Sequence, residues 1–380
     1  MEERKPKKII FIAGDKSGDI YGGFLSKKLK DLLGENVLLY SFGGEHLAQH
    51  SHQLVNLLNY SVSGIWEVAS SLRRIINIFK ITWEKIEKIN PHLIILIDFP
   101  EFNLRLAKKN NKKYPIFYYV SPQVWAWRRK RIKLIRKYID KIIVIFKFEE
   151  ELYRREGIDV LYFGHPLLEI INDTFFSLPA KRKEKKKIIS LLPGSRKNEI
   201  RQHLPLLLKA KKLITHQLRD YSFQIIKPKN IEIEFYKKIV KDNTEIIEHS
   251  YHSLYQSEFI ITSSGTATVE IAILGIPFLI IYKMNPISWL ILKHMVNINY
   301  IGMINIIAGR KIIEELVQSQ ASAYRIASLT TEILKNREKY KSLQRNLEKI
   351  KQKLYPPSAI TATATFIKTS LSSFSTKSRY

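Results

Sequence analysis

The sequence predicts an α/β protein made of two doubly wound domains in series. Three observations carry this. Short apolar runs alternate with stretches of helical periodicity. Several runs, such as "HLIILIDFP", are apolar without alternation, as strands buried on both faces of a parallel sheet are. After a charged, Pro-containing stretch at 173–187, "DTFFSLPAKRKEKKK", the alternation begins again. A chain of 380 residues is also long for one core, since single cores stop growing near roughly 250–300 residues.

The elements follow in order. "KIIFIAGD" is a strand entering a Gly-containing turn, and "DIYGGFLSKKLKDLLG" a helix with Leu25, Leu29, Leu32 and Leu33 on one face and Gly34 as its stop. "NVLLYSFGG", "HLIILIDFP", "PIFYYVSP", "KIIVIFKF" and "DVLYFGHP" continue the first domain, 1–172. Residues 173–187 read as a linker. The second domain, 188–345, opens with strand "KIISLLPGSR" and helix "NEIRQHLPLLLKAKKLI", then "SFQIIK", "TEIIEH", "EFIITSSG", helix "TATVEIAILG" and strand "PFLIIY". Residues 346–367 read as a helix, and the Ser/Thr/Lys-rich 368–380 as a disordered tail.

Composition bounds the function. With no cysteine, a disulfide framework and a Cys-based metal site are excluded, and a cytoplasmic location fits. The N-terminal apolar run is short for a signal peptide, and no run of 18 apolar residues predicts a membrane span. The net charge of +28, from 63 Lys+Arg against 35 Asp+Glu, suits anionic partners, though it is spread along a chain rich in Lys throughout.

In open α/β sheets, ligands sit beyond the carboxyl ends of strands, and two such domains facing each other make a cleft. Attention therefore falls on the strand–loop junctions. In "AGDKSGD", Gly14, Ser17 and Gly18 can bring backbone N–H groups to a ligand, and Asp19 can cap the helix or bind a hydroxyl. The motif is neither a P-loop nor G-x-G-x-x-G, and a tight strand–helix turn explains the spacing more simply. Asp98 leaves a buried strand. It is a candidate general base, or equally a helix N-cap ahead of Pro100 and Glu101.

Gly194, Ser195 and Arg196 end another strand, where Arg196 can grip a diphosphate. In "TSSGTATVE", Ser264, Gly265, Thr266 and Thr268 offer N–H groups and hydroxyls. Glu270, one turn into the helix, can accept from ribose hydroxyls or simply complement the helix dipole. "VSPQVWAWRRKR" joins Trp125 and Trp127 to a basic run, which suits nucleic acid, a lipid interface, or core tryptophans beside a solvated helix. The segment 61–83 is amphipathic, with Ile65, Trp66, Val68, Leu72, Ile75, Ile76 and Phe79 interleaved by Arg73, Arg74 and Lys80. A core-facing helix is its ordinary reading, and a membrane-docking face the alternative.

These stretches together are similar to one family. "AGDKSGD", "FGGEHLAQ", "SVSGIWEV", "LIDFPEFNLRLAK", "YYVSPQVWAWRRKRI", "FKFEEELYRREGIDVLYFGHPL", "LLPGSRKNEI", "TSSGTATVEIAILGIP" and "MINIIAGRKIIEELVQ" occur in the order seen in lipid-A-disaccharide synthases, over about residues 8–365. The resemblance implies a GT-B glycosyltransferase: two Rossmann-like domains with a cleft between them and the last helices crossing back to the first. It implies inverting transfer of 2,3-diacylglucosamine from UDP-2,3-diacylglucosamine to 2,3-diacylglucosamine 1-phosphate (lipid X), with UDP released and no metal or other cofactor.

By the same resemblance, Asp98 deprotonates the acceptor hydroxyl and Arg196 holds the diphosphate. Ser264, Gly265, Thr266 and Glu270 hold phosphate and ribose, with Asn305 and Gln318 in the same pocket. The helix at 64–79 becomes an interfacial one, placing the protein peripherally on the cytoplasmic face of the inner membrane, against anionic phospholipid. No nucleic-acid partner is implied, and a homodimer is left open. The chain departs from the family pattern at Asp15 (usually Glu), Ile304 (usually Pro) and Glu314 (usually Pro). The rival readings are another GT-B UDP-sugar enzyme, an epimerase or a lipid-linked N-acetylglucosamine transferase, and a basic nucleic-acid-binding protein.

Overall fold

The computed structural model describes residues 5–60, 68–126, 128–177, 187–285, 289–290 and 299–377, with 68–72 and 374–377 as backbone only. The chain forms two compact units. One runs to Glu169 and is rejoined from Leu354, and the other is Ile170–Lys353.

The first unit holds a seven-stranded parallel sheet. Its strands are β1 (Lys7–Ala13), β2 (Val37–Phe42), β3 (His52–Val55), β4 (Leu93–Ile97), β5 (Ile116–Tyr119), β6 (Lys141–Val144) and β7 (Val160–Tyr162), in the order β3-β2-β1-β4-β5-β6-β7. Residues Ile9–Ala13 and all of β4 have no accessible surface, as strands covered on both faces require. The order reverses between β1 and β4, which pair through Ala13 and Ile97 at their carboxyl ends. This is the crevice where doubly wound sheets bind ligands.

The second unit repeats the scheme with β8 (Ile188–Leu192), β9 (Ser222–Lys227), β10 (Glu245–Glu248), β11 (Phe259–Ser263), β12 (Phe278–Tyr282) and β13 (Glu315–Val317), ordered β10-β9-β8-β11-β12-β13. Its reversal lies between β8 and β11, paired at Leu192 and Thr262. Ile189, Leu191 and Ile261 pack with Leu204 and Leu207 of the helix Lys197–Gln217 in its core.

The last helix, Ala359–Lys377, packs on the helix Lys16–Leu33 of the first unit. The Glu169 carboxylate fixes its start, accepting from the N–H groups of Ile360 (2.6 Å) and Thr361 (3.1 Å). This helix takes in residues 368–377, for which composition predicted disorder. Buried Ile360, Ala364, Ile367 and Leu371 recur at helical spacing through the Ser-rich stretch. Its hydroxyls bond back along the helix, as Ser370 does to the Phe366 carbonyl (2.9 Å).

Candidate active site

In the first unit, the two strands at the reversal each deliver a carboxylate. Asp15 lies two residues past β1 and Asp98 one residue past β4. Asp15 caps the helix Lys16–Leu33, its Oδ1 accepting from the Gly18 N–H at 2.7 Å, and the Ser17 N–H also bonds to it. Gly14 is buried with the Phe99 ring against it. Asp19, read from sequence as a cap or hydroxyl ligand, does not cap its own helix. Its buried carboxylate accepts from the N–H groups of Gly44 (2.7 Å), His46 (3.0 Å) and Leu47 (3.2 Å), bracing the turn after β2.

Asp98 stands at φ +41° and Phe99 at φ +47°, two consecutive non-glycine residues in left-handed conformation. Such strain persists only where surroundings impose it. Here Tyr118 Oη (2.6 Å) and Asn103 Nδ2 (2.8 Å) both donate to the Asp98 carbonyl. The N-cap position of the helix Pro100–Asn110 falls on Phe99 and carries no side-chain cap, so Asp98 does not serve as one. Burial, then the charge of Asp15, push the Asp98 carboxyl well above the usual carboxylate range. Asp15 is raised too, chiefly by burial, with the Gly18 N–H opposing. The two carboxyls are hydrogen-bonded to each other, an arrangement that keeps one proton between them and raises the proton affinity of Asp98.

In the second unit, both anion-suited loops lie at the sheet reversal. Gly194, at φ +132°, follows β8. The Ser195 N–H donates to Glu199 Oε2 (3.0 Å), and the largely exposed Arg196 reaches Glu199 Oε1 (3.4 Å). After β11, Ser264 Oγ donates to the Ile301 carbonyl (3.0 Å), and Gly265 turns at φ +142°. Thr268 bonds back to the Gly265 carbonyl (2.7 Å), and Thr266 is the N-cap residue of the helix Ala267–Ile273. Glu270, one turn in, is buried, with Oε2 at 2.9 Å from His249 Nε2.

Asn305 and Gln318 lie on the segment beside this loop. The buried Asn305 uses its whole amide: Oδ1 accepts from Ile312 and Ile313, and Nδ2 donates to the Ile313 carbonyl and to Glu315. Glu315 in turn accepts from Ile301 and Gly302. Asn305 thus braces the segment on which Ser264 leans. Gln318, at φ +52°, accepts from the Met284 N–H (3.4 Å), and its buried Nε2 has no partner among the described residues. Ile304 is fully buried, and the Glu314 carbonyl accepts from Ile280 N–H.

Sequence reasoning missed His249 and Glu199. His249, four residues before "SLYQ", carries no motif, whereas Glu199 at the third helical position was open to a capping reading.

Of the segment 61–83, Ile65 and Trp66 lie outside the described residues, as do the side chains of Val68 and Leu72. Within the helix Val68–Ile89, Ile78, Trp83 and Ile86 face the core. Phe79 is half-buried on Phe102, Ile75 is half-buried, and Ile76 is 61% exposed beside exposed Arg73 and Arg74. Trp125 is half-buried with its indole N–H bonded to Glu149 (3.1 Å), and Trp127 lies outside the described residues. Among the described residues, no helix is long and apolar enough to cross a membrane.

Comparison with known proteins agrees with this architecture. The UDP-GlcNAc 2-epimerase from Neisseria meningitidis bound to UDP-GlcNAc matches with a TM-score of 0.61 at 13% identity, covering 96% of this chain and 99% of that one. That likeness is one of fold, the two-sheet α/β arrangement of the GT-B class. The lipid-A-disaccharide synthase of Syntrophus aciditrophicus is 35% identical over 365 residues, 93% of this chain and 95% of its own length. That of Persephonella marina is 37% identical over 383 residues, 95% and 98% of the two. The family model described as lipid-A-disaccharide synthetase matches residues 9–366. The chain therefore belongs to the lipid-A-disaccharide synthase family.

Proposed function

We propose that the protein transfers 2,3-diacylglucosamine from UDP-2,3-diacylglucosamine to the 6-hydroxyl of 2,3-diacylglucosamine 1-phosphate, inverting the anomeric centre and releasing UDP. The observation that supports the reading is the chemistry found at the sheet reversals: an acidic pair in the first unit, two anion-suited loops in the second.

In this reading Asp98 is the general base. Its raised proton affinity suits removal of a hydroxyl proton, and Asp15 sustains it. The attacking oxygen displaces UDP from the far face of the anomeric carbon. Arg196 and the N–H groups of the Gly194–Ser195 turn exchange Glu199 for the diphosphate, and they stabilise the charge that grows on it. Ser264, Gly265 and Thr266 hold phosphate, and Glu270, steadied by His249, accepts from the ribose hydroxyls. Asn305 supports that loop from behind, and the Gln318 amide donates to the nucleotide.

Both substrates carry acyl chains. Exposed Ile76, flanked by Arg73 and Arg74, supports docking on an anionic membrane surface.

The test is UDP release from UDP-2,3-diacylglucosamine with and without lipid X, with the product weighed by mass spectrometry. Release that requires lipid X, with a new disaccharide phosphate, supports the reading. UDP binding without release in either case leaves the fold and removes this acceptor. Asp98→Asn should abolish transfer with UDP affinity intact, and full turnover in that variant would exclude Asp98 as the base.

A further inference from the structure

One buried carboxyl of the first unit has no part in the transfer just described. Glu149 is 1% exposed, at the third position of the helix Lys147–Arg155, which follows β6. Its Oε2 accepts from the Phe146 N–H (3.3 Å), closing the helix start. Its Oε1 turns the other way and accepts from Trp125 Nε1 (3.1 Å) and Ser121 Oγ (3.3 Å). Both donors belong to "VSPQVWAW", the stretch that follows β5 through Val120 at φ +60°.

The same loop is fastened at its far end. Arg128 and Arg131 both pair with Glu101, in the first turn of the helix that begins just after Asp98. β4, β5 and β6 are neighbours in the sheet, so Glu149 and Glu101 hold this loop from either side across the carboxyl edge that carries Asp98. Edge contact of the Trp125 and Phe148 rings (5.3 Å) adds to the hold.

We propose that Glu149 is a positioning residue for the acceptor side of the site, pinning the Ser121–Trp125 loop beside Asp98 and setting the electrostatic surroundings of that carboxylate. The inference rests on Asp98 being the base. A plain capping residue needs none of this: it sits at the surface, ionised, with its bonds inside its own helix turn. Burial instead pushes the Glu149 carboxyl up to about 7, against the bonds from Trp125, Phe146 and Ser121. Its charge raises Asp98. The titratable groups that feel its charge are Asp98 beyond β4, Tyr153 on its own helix and Tyr162 on β7, and Arg131 acts on Tyr153. Like charges repel, so ionising Glu149 makes proton loss from Asp98 harder.

The experiment measures kcat/KM against pH, and KM for each substrate, in wild type, Glu149→Gln and Trp125→Phe, with Asp98→Asn alongside. Glu149→Gln keeps an acceptor for Trp125 and Ser121 but removes the charge. Its acid limb should move to lower pH by roughly half a unit. Its lipid X KM should rise about fivefold, because the amide NH2 that replaces Oε2 cannot accept from the Phe146 N–H and one bond of the loop's anchor is lost, with donor KM unchanged. Trp125→Phe should raise the lipid X KM likewise and move the limb in the same direction by less, since a weaker-bonded Glu149 is neutral more often.

Stability loss in Glu149→Gln with the limb and acceptor KM of wild type overturns the proposal and leaves a helix cap. If that variant does not fold, Trp125→Phe decides: an unchanged acceptor KM and limb overturn it. An active Asp98→Asn removes the base on which the proposal stands, and is told apart from the other failures by that variant alone.

Discussion

His249 Nε2 lies 2.9 Å from Glu270 Oε2, joining the residue after β10 to the first turn of the helix after β11. The bond occupies one carboxylate oxygen and fixes the plane of the other. Tyr251 packs edge-on to the His249 ring, and its hydroxyl is pushed upward by burial and by the Glu270 charge. If Glu270 reads the ribose, His249 sets the angle at which it does so. His249→Ala should weaken UDP binding about fivefold to tenfold, near 1 kcal/mol, with little change in kcat at saturating donor. His249→Gln should recover most of it. Titration calorimetry with UDP gives the answer, and an unchanged dissociation constant in the Ala variant would detach the pair from nucleotide binding.

Gly194 should be intolerant of a side chain for two separate reasons. Its φ of +132° is open to glycine almost alone, and an added Cβ would meet Glu199 Cβ at 2.7 Å and Oε2 at 2.6 Å. Gly194→Ala therefore displaces the carboxylate that holds the Ser195 N–H and Arg196. Strain of about 1–3 kcal/mol should lower Tm by roughly 5 °C. UDP affinity should drop more than tenfold, because the diphosphate cradle loses its shape. Wild-type UDP affinity in a folded variant would show that the β8 turn is not the phosphate site.

Much of this was legible in the chain, and what was not has physical causes. The buried parallel strands announced themselves through unbroken Ile and Leu, and the two reversals follow once the strands are ordered. β3 and β13 were missed. "HQLV" is half polar because β3 is an edge strand, and "ELV" is too short to show a period. Asp98 read equally as base or cap, because both need a carboxylate before a helix. Only the backbone, which moves the cap position to Phe99, removes the cap reading. Asp19 reads as a local cap or a hydroxyl ligand, yet its partners are N–H groups on the turn after β2. His249 was invisible because its partner is 21 residues away and no spacing rule links them.

Ile76 offers a test of membrane docking that leaves the core alone. It is 61% exposed, whereas Ile78, Trp83 and Ile86 of the same helix pack inward. Ile76→Asp should reduce co-sedimentation with phosphatidylglycerol vesicles about tenfold or more, since one apolar side chain leaving water accounts for about 1.5–3 kcal/mol. Raising the salt should weaken wild-type binding as well, through Arg73 and Arg74. UDP affinity and Tm should not move. Vesicle binding equal to wild type would take Ile76 out of any membrane contact.

The buried Glu149 carboxyl should also leave a mark on folding stability. Its proton affinity rises from an ordinary value of 4.5 to about 7 on folding. The folded state therefore binds the proton more tightly than the unfolded chain does. The resulting stabilisation is complete below about pH 4.5 and is lost as pH rises through about 7. That interval corresponds to roughly 3 kcal/mol. Asp98 and Asp15, both raised, act in the same direction, so wild type should be more stable near pH 5 than near pH 8 for all three reasons. Glu149→Gln cannot ionise, so its stability should fall less over the same range, and the variant should gain on wild type as pH rises. Urea unfolding of both proteins at about pH 5 and pH 8 measures the difference directly. Parallel losses in the two proteins would mean that Glu149 is ionised throughout, and that its charge is met by a partner other than Trp125 and Ser121.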